Sequence, residues 1–269
     1  MIDAELINAA EPINDAELIT DAELIIGAQP TTENGADREF ASLTCTEQIE
    51  AVLSVILHGD KRDLARAETW FASLPIPFSA VCKTIVEPVA LKLGELWAED
   101  KVSFIDVTVA SGRLKGLVSV YRGGAELSPN NGFGGNGLSG NGLAPRKVLL
   151  ARAVGEQHTL GLLIVGIAFE NAGWEVVGGD ELCNEPAILD RLSQERFDLM
   201  GLSVGTQSNA THLAGAGLRF RNASLNPDLK ICIGGPAIAN TSHLCQSMAA
   251  DFAATDALDA VQQAERLLA

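Results

Sequence analysis

Glu156 and His158 are the residues of this sequence whose types and spacing are best suited to metal chemistry. They lie in the segment 155–161, GEQHTLG, directly after the apolar run 147–154. A neutral imidazole is a common metal ligand, and a nearby carboxylate can orient the ring and raise its basicity. Taken alone, such a histidine is more often an ordinary loop residue than a ligand. The pair therefore nominates a metal site that needs support from the rest of the chain.

Two further segments follow apolar runs in the same half of the chain. The segment 201–207, GLSVGTQ, combines two hydroxyl side chains with a central glycine. The segment 234–236 is Gly-Gly-Pro, and paired glycines at such a point allow a ligand or another backbone to approach closely. Together with 155–161, at successive strand ends of one sheet, these segments predict a large planar or elongated ligand.

From residue 147 onward, the sequence alternates between short apolar runs and helical patterns. Five such alternations predict an open parallel sheet covered by helices on both faces. Their number and length favour the flavodoxin-like strand order, in which ligands lie at the carboxyl ends of the strands. The predicted strands are 147–154, 174–177, 198–204, 229–233 and 251–254, and the predicted helices are 158–172, 185–195, 211–223, 242–249 and 257–268.

Residues 44–122 have a different pattern, with apolar residues three and four positions apart. This pattern predicts four helices joined by short loops, which form a bundle. Gly59 ends the first helix and Asp60 caps the second. Pro88 lies inside the third helix, where a proline is expected to kink the helix or remove a turn. The predicted fold class is therefore all-α plus α/β: a four-helix bundle cap followed by a flavodoxin-like five-stranded parallel sheet.

Two segments flank the predicted bundle and give the chain four parts. Residues 1–43 form an acidic leader in which the pentapeptide DAELI occurs three times. This leader is either poorly ordered or a partner-binding segment. Residues 123–146 are rich in Gly and Asn and predict a flexible linker. The predicted domains are the leader 1–43, the bundle 44–122, the linker 123–146 and the α/β domain 147–269.

The composition disfavours several classes of function. With 19 Lys and Arg against 35 Asp and Glu, the net charge of −16 opposes direct DNA binding and binding to a membrane surface. The N-terminus lacks the basic residues of a signal peptide, and the longest apolar run, 160–169, is too short to span a bilayer. The five cysteines form no CxxC pair and predict neither a disulfide framework nor a zinc site. We expect a cytoplasmic protein, with Cys82 and Cys232 as small core residues.

Glu156, His158 and Gly161 resemble the D/E-x-H-x-x-G signature of cobalamin-binding domains. In that family a serine-containing segment follows, here Ser203–Val204–Gly205, and then a glycine pair, here Gly234–Gly235. The resemblance implies that His158 supplies the lower axial nitrogen to cobalt, in place of the dimethylbenzimidazole of the cofactor. It also implies that this base and its tail lie in a channel lined by the serine, the following glycine and the glycine pair.

The resemblance implies adenosylcobalamin or hydroxocobalamin as the cofactor and His158 as the metal ligand. The sequence contains no nucleophile–base pair of hydrolytic type and no phosphate loop, so no catalytic residue is predicted. Thr255 and Asp256 follow the last predicted strand and have two interpretations, capping of the final helix or contact with the cofactor tail. The cofactor-binding residues expected in this domain are Glu156, Gln157, His158, Thr159, Leu160, Gly161, Ser203, Val204, Gly205, Thr206, Gly234, Gly235, Pro236, Thr255 and Asp256.

The predicted bundle resembles the helical cap of the same family. Pro88, Gly94 and Trp97 resemble the cap's Pro…Gly-x-x-Trp segment, whose Trp lies over the upper face of the corrin. In DNA-binding cobalamin photoreceptors and methionine synthase caps, Glu-His follows at the positions where this chain has Val107 and Thr108. The resemblance implies that Trp97, Val107 and Thr108 contact the cofactor and that the upper axial histidine is absent.

The sequences of segments 104–114 and 155–161 resemble those of the AerR/PpaA group, which are cobalamin-binding regulators of photosynthesis genes in purple bacteria. Members of this group act as antirepressors towards a repressor of the PpsR/CrtJ type. Thr159 stands at the position where the methyltransferase motif usually has an Asp that helps to shuttle protons to the histidine. No N-terminal helix-turn-helix is predicted in this chain.

The resulting hypothesis is a cobalamin-binding light or redox sensor, not an enzyme, that regulates transcription by contact with a PpsR/CrtJ-type repressor. One alternative is a corrinoid carrier subunit of a methyltransferase, against which Thr159 and the long linker count. Another is a heme-binding sensor on the same scaffold, with His158 on iron. A phosphorylation receiver is disfavoured because Ser203 occupies the end of the third strand, where the phospho-accepting Asp would lie.

Overall fold

The computed structural model describes residues 40, 43–74, 76–122, 145–157, 159–206, 212–239 and 243–269. The chain divides into two compact units, Met1–Gly132 and Phe133–Ala269. The division falls inside the predicted linker, and most of the predicted linker and leader lies outside the described residues. We call the two parts the helical unit and the α/β unit.

Among its described residues, the helical unit has the four predicted helices. They are α1 (Cys45–His58), α2 (Lys61–Ser73), α3, which consists of the segments Phe78–Val81, Cys82–Val86 and Glu87–Ala98, and α4 (Phe104–Ser119). Helices α1, α2 and α4 each begin with a capping box, in which the N-cap residue and the third helical residue accept each other's backbone N–H. The predicted cap Asp60 forms one of these boxes with Asp63.

Pro88, expected to kink α3 or remove a turn, is preceded by a change of helix type. Cys82–Val86 form a π-helical turn directly before the α-helical segment whose first turn contains Pro88. A proline has no N–H to donate to the carbonyl four residues earlier, which is that of Thr84. This carbonyl oxygen instead accepts the Cys45 thiol, with a sulfur–oxygen distance of 3.8 Å. The wider turn thus accommodates the proline within one helix.

Cys82 and Cys232 are core residues, as predicted. They are 5% and 6% exposed, and burial raises the pKa of both thiols. All five cysteines are free. Cys82 and Cys232 therefore pack as small apolar side chains do.

The α/β unit alternates strands and helices along the chain. The strands are β1 (Lys147–Arg152), β2 (Glu175–Gly178), β3 (Leu199–Ser203), β4 (Lys230–Gly234) and β5 (Phe252–Ala254), and the helices are α5 (Leu160–Asn171), α6 (Glu185–Gln194), α7 (Ala216–Ala223), α8 (Pro236–Ala239), α9 (His243–Met248) and α10 (Ala257–Leu267). Every strand pair is parallel, and the order is β2-β1-β3-β4-β5. This is the flavodoxin-like order, which confirms the predicted fold class.

Two helices differ from the prediction. Helix α7 begins at Ala216 rather than at residue 211, because Gly215 has a φ of +66°, which a right-handed helix cannot contain. The short helix α8 was not predicted. Its Ala237 N–H donates to the carbonyl oxygen of Val204 at 3.2 Å, a tertiary contact that local sequence does not reveal.

The strands alternate their side chains between two cores. One core contains Val148, Leu199 and Cys232 together with residues of α5 and α10. The other contains Leu149 and Met200 together with residues of α6, α7 and α9. We call the two sides of the sheet the α5/α10 face and the α6/α7 face. Both faces of the parallel sheet are covered, as predicted.

Gly217 of α7 lies against the backbone at the end of α9. A Cβ at Gly217 would lie 2.4 Å from the carbonyl oxygen of Ala249 and 2.7 Å from that of Met248. Because backbone atoms cannot move aside as a flexible side chain can, Gly217→Ala is expected to lower the free energy of unfolding by about 1–3 kcal/mol in urea denaturation. The control Gly116→Ala in α4 places its Cβ in open space and is expected to stabilise by about 0.5–1 kcal/mol. Equal effects of the two substitutions would contradict this account.

Candidate functional site

The carboxyl ends of four strands lie side by side at one edge of the sheet. In the parallel register, Arg152 of β1 pairs with Ser203 of β3, Ser203 with Gly234 of β4, and Gly234 with Ala254 of β5. The segments that follow these strands therefore leave the sheet at one level. The structure thus brings together the described residues of all three segments that the sequence nominated.

His158, the predicted metal ligand, lies outside the described residues. The loop that leads to it is described and starts at the end of β1. Ala153 N–H donates to the carbonyl oxygen of Ser203 at 2.9 Å, and Glu156 N–H donates to that of Ala153 at 3.1 Å. Gly155, between them, has a φ of +80°, in the left-handed region that favours glycine. The backbone before His158 is therefore a defined turn anchored on β3.

The carboxylate of Glu156 is buried at this edge of the sheet. Glu156 is 1% exposed, and its Oε1 accepts the N–H of Gln157 at 2.9 Å. A Cβ added to Gly205 would lie 1.7 Å from Oε2 of Glu156. The carboxylate thus occupies the space where a side chain at position 205 would begin. A contact within the protein explains why this position is glycine.

Gly235 is explained by the close approach of another backbone segment. It has a φ of +108°, and a Cβ there would lie 2.5 Å from the carbonyl oxygen of Val204. Val204 is held beside β4, since its N–H donates to the carbonyl oxygen of Gly234 at 2.8 Å. Of the two possibilities that paired glycines raise, a ligand or another backbone, the structure has another backbone at Gly235.

Gly234, by contrast, has room beside it. A Cβ there would meet only the carbonyl oxygen of Ala254, at 3.6 Å, and a Cβ on Gly161 would meet nothing within 4 Å. Ala254 belongs to the core of the α5/α10 face, as does Leu199, and Ser203 lies on the same face because side chains alternate along a strand. Small residues at positions 161, 203, 234 and 254, which we call the small-residue edge, fit the slender cofactor tail that the resemblance implies.

Thr255 and Asp256 form hydrogen bonds with the first turn of α10. The Asp256 carboxylate accepts the N–H of Asp259 at 2.8 Å, and the Thr255 N–H and hydroxyl donate to Oδ2 of Asp259 at 3.0 and 3.3 Å. These bonds match the capping interpretation of the two residues. Contact with a cofactor tail stays a prediction.

The other predicted contact residues of this unit lie along the same edge. Gln157 and Pro236 are exposed, and Pro236 is the first residue of α8. Thr159 is the N-cap residue of α5, and Leu160 is the first residue of that helix. Thr206 follows Gly205 and is partly buried. Residues 207–211, the end of one nominated segment and its continuation, lie outside the described residues.

Trp97, Val107 and Thr108 lie in the helical unit. Trp97 is near the end of α3 and Val107 is in α4, and both side chains are partly buried. Thr108 is exposed, and its hydroxyl donates to the carbonyl oxygen of Phe104 at 2.7 Å. Such a bond is common for a helical threonine and satisfies its hydroxyl within α4. The two positions that hold Glu-His in related caps thus carry an aliphatic side chain and a hydroxyl bonded to its own helix.

No role was predicted for Arg152, although it shapes this edge. Its guanidinium donates from Nη1 to the carbonyl oxygen of Glu156 and from Nε to that of Asp180, the latter at 2.6 Å. The signal available in the sequence was a single charged residue inside the apolar run 148–154. A cation at the end of a buried strand needs acceptors close by, and here they are the carbonyls of two loops.

A cavity of about 240 Å³ lies on the α6/α7 face of the sheet. Apolar side chains such as Ile188, Leu202 and Phe220 contribute to its wall, with Cys183 and Glu185 among its polar residues. The pKa of the Glu185 carboxyl is lowered because the guanidinium of Arg219 donates to it. Arg152, Ala153 and Val154, at the start of the loop that leads to His158, also line it. The cavity therefore adjoins the carboxyl edge of the sheet, on the face opposite the small-residue edge.

The described residues offer no alternative metal site. Among them, no group of three or more His, Cys, Asp or Glu side chains is arranged to hold a metal ion. Within the same ranges, no helix has the length and apolar character needed to cross a membrane.

A parallel sheet in this order presents loops and small residues at its carboxyl edge, which is where open α/β domains bind their ligands. Residues 146–262 match the family model described as the B12 binding domain. This match supports a cobalamin-binding domain in the α/β unit, in agreement with the resemblance carried by Glu156, His158 and Gly161.

Two known proteins are similar to larger parts of the chain. An uncharacterized 20.5 kDa protein in the bchF-crtJ intergenic region of Rhodobacter capsulatus is 24% identical over 189 residues, which is 69% of this chain and 91% of that protein. The monomethylamine corrinoid protein of Methanosarcina barkeri has a similar structure, with a TM-score of 0.59, 13% identity, and coverage of 81% of this chain and 96% of that one. The second likeness shows the fold.

The contact between Glu156 and Gly205 predicts a selective effect on stability. Gly205→Ala would place a Cβ on the Glu156 carboxylate, which is 1% exposed and can move aside only by losing its buried packing. The substitution is therefore expected to lower the free energy of unfolding by about 1–3 kcal/mol, measured by urea denaturation. The matched control is Gly234→Ala on the next strand, where the added methyl meets only an ordinary contact and no loss is expected. A loss of the same size in both variants would show that the contact is not the cause.

Gly234→Ala also tests where the cofactor tail lies. Its methyl would project into the small-residue edge without disturbing the fold, so that stability is retained while the affinity for hydroxocobalamin falls. We expect a loss of about 1–3 kcal/mol in binding free energy, measured by absorbance titration. Unchanged affinity of a normally folded variant would place the tail elsewhere.

Proposed function

We propose that this protein is a cobalamin-dependent light or redox sensor that regulates transcription by contact with a repressor of the PpsR/CrtJ type, and that it is not an enzyme. The observation that carries the proposal is the alignment of 69% of this chain with 91% of a protein encoded next to crtJ. The match of residues 146–262 to the B12 binding domain supplies the cofactor class.

His158 is the proposed cobalt ligand, and the small-residue edge is the proposed place of the cofactor tail. The described backbone from Ala153 to Gln157 leads from the edge of the sheet to His158. Glu156, two residues before His158 in the sequence, is buried. Trp97, Val107 and Thr108 are proposed to lie on the upper side of the cofactor. When bound, alkylcobalamin supplies a cobalt–carbon bond that light can break.

One departure from the methyltransferase pattern favours a sensor over a carrier. Thr159, the N-cap residue of α5, cannot carry a proton to or from an imidazole as a carboxylate can. Val107 and Thr108 provide no imidazole for the upper side of cobalt, but Glu-His occurs at these positions in cobalamin photoreceptors as well as in methionine synthase caps and does not separate the two classes. The residue next to His158 is therefore the one that disfavours repeated methyl transfer.

The charge of the chain fits control through a protein partner. A net charge of −16 repels the phosphate backbone, so direct competition for DNA is disfavoured. A sensor that acts on a repressor needs a difference in affinity between its two states, and a tenfold difference corresponds to about 1.4 kcal/mol. Such a difference requires that partner contacts change between the two states.

The first experiment measures the absorbance spectrum of the full chain mixed in the dark with adenosylcobalamin or hydroxocobalamin, desalted and then illuminated. Retained corrin bands that shift on illumination, and that weaken in His158→Ala, are expected. His243→Ala is the matched control because His243 is an exposed histidine on α9. Retained bands without any light response would favour the carrier. No retained corrin would overturn the proposal, and a heme titration would then test the other alternative.

The second experiment measures binding of a purified PpsR/CrtJ-type repressor to its operator DNA by mobility shift. The loaded chain is expected to reduce the fraction of bound DNA in one light state, and to produce no shift by itself. A shift of the DNA by the chain alone, or an equal effect in both light states and without cobalamin, would contradict the proposed mode of regulation.

A further inference from the structure

We propose that Arg152 is a positioning residue that fixes the loop before His158 and thereby strengthens ligation of cobalt by this histidine. The inference rests on the proposed role of His158. It assigns a function to a side chain that belongs to neither the cofactor signature nor the predicted contact residues.

The contacts of Arg152 join two loops at the carboxyl edge of the sheet. Arg152 is the last residue of β1, and its guanidinium donates to the carbonyl oxygens of Glu156 and Asp180. Its backbone N–H donates to the carbonyl oxygen of Leu182 at 3.0 Å. The loop that leads to His158 is thus connected by one side chain to the loop after β2.

The middle of this loop is exposed. Val154 is 63% exposed, and Gly155 is exposed and has no side chain to pack. Besides the Arg152 contact, the anchors of Glu156 include its N–H bond to Ala153, the bond from the Gln157 N–H to its Oε1 and the packing of its carboxylate on Gly205. The guanidinium therefore restrains the backbone at the last buried residue before His158.

An arginine is suited to this task in a way that a lysine is not. Its planar guanidinium presents several donors in fixed directions, so that two carbonyl oxygens can be bonded at the same time. Metal ligation requires the ligand atom to be held close to its final position, and groups that orient a ligand affect metal affinity strongly. Because Glu156 is only two residues from His158, loss of the guanidinium is expected to loosen the backbone that leads to this histidine.

The test compares Arg152→Gln with the matched control Arg221→Gln. Arg221 also donates to two backbone carbonyls, those of Leu229 and Ala249, and in addition to the carboxylate of Asp251. These groups lie before β4 and β5, at the opposite edge of the sheet. In the cofactor-free protein, hydrogen exchange is expected to show loss of amide protection in residues 155–157 for Arg152→Gln only. Thermal unfolding of both variants records any general loss of stability.

With bound cobalamin reduced to the Co(II) state, electron paramagnetic resonance reports whether an imidazole nitrogen is coordinated. We expect the ratio of nitrogen-ligated to nitrogen-free cobalt to fall about tenfold in Arg152→Gln, and to be unchanged in Arg221→Gln. Arg152→Lys keeps the charge but not the planar fork, and it is expected to recover only part of the ratio. This variant also decides the matter if Arg152→Gln does not fold.

The outcomes separate the two proposals. If the wild-type protein shows no nitrogen coordination that depends on His158, the proposed role of His158 fails and the positioning role fails with it. If that coordination is present but neither Arg152 variant changes it, only the positioning role is overturned. An equal fall in Arg221→Gln would assign the effect to general loosening of the sheet and would also overturn it. Full recovery by lysine would show that charge alone suffices, against the two-carbonyl mechanism.

Discussion

The parallel pairing of the strands is the constraint on which the candidate site depends. Because β1, β3, β4 and β5 run in the same direction and in register, Arg152, Ser203, Gly234 and Ala254 end at one level. An antiparallel partner would send its following loop to the other edge. The order β2-β1-β3-β4-β5 also covers both faces with helices, so that the edge is the part of the sheet open to a long ligand.

Close packing at this edge divides its glycines into two kinds. Gly205 and Gly235 have no space for a side chain because the Glu156 carboxylate and the Val204 backbone lie against them. Gly234 and Gly161 have space, and nothing within the described protein requires them to be glycine. The first kind shapes the site through the protein itself. The proposal places the cofactor tail beside the second kind.

A carrier and a sensor can share this architecture. The monomethylamine corrinoid protein has the same fold at 13% identity, and a fold by itself does not choose between functions. In the proposal, the choice rests on one residue, Thr159, which stands where the methyltransferase pattern has a carboxylate.

The sequence by itself determined the four helices and the five strands, because periodic burial is a local property, and the Glu156-x-His158 spacing indicated a cobalamin-binding domain in the α/β unit. The caps at Asp60 and Asp256 were also predicted from local residues. Only the tertiary structure decided which glycines contact protein and which face open space, where α7 begins, and that Arg152 bonds to two loops. These features depend on atoms that approach from distant parts of the chain, for which a single sequence has no local signal.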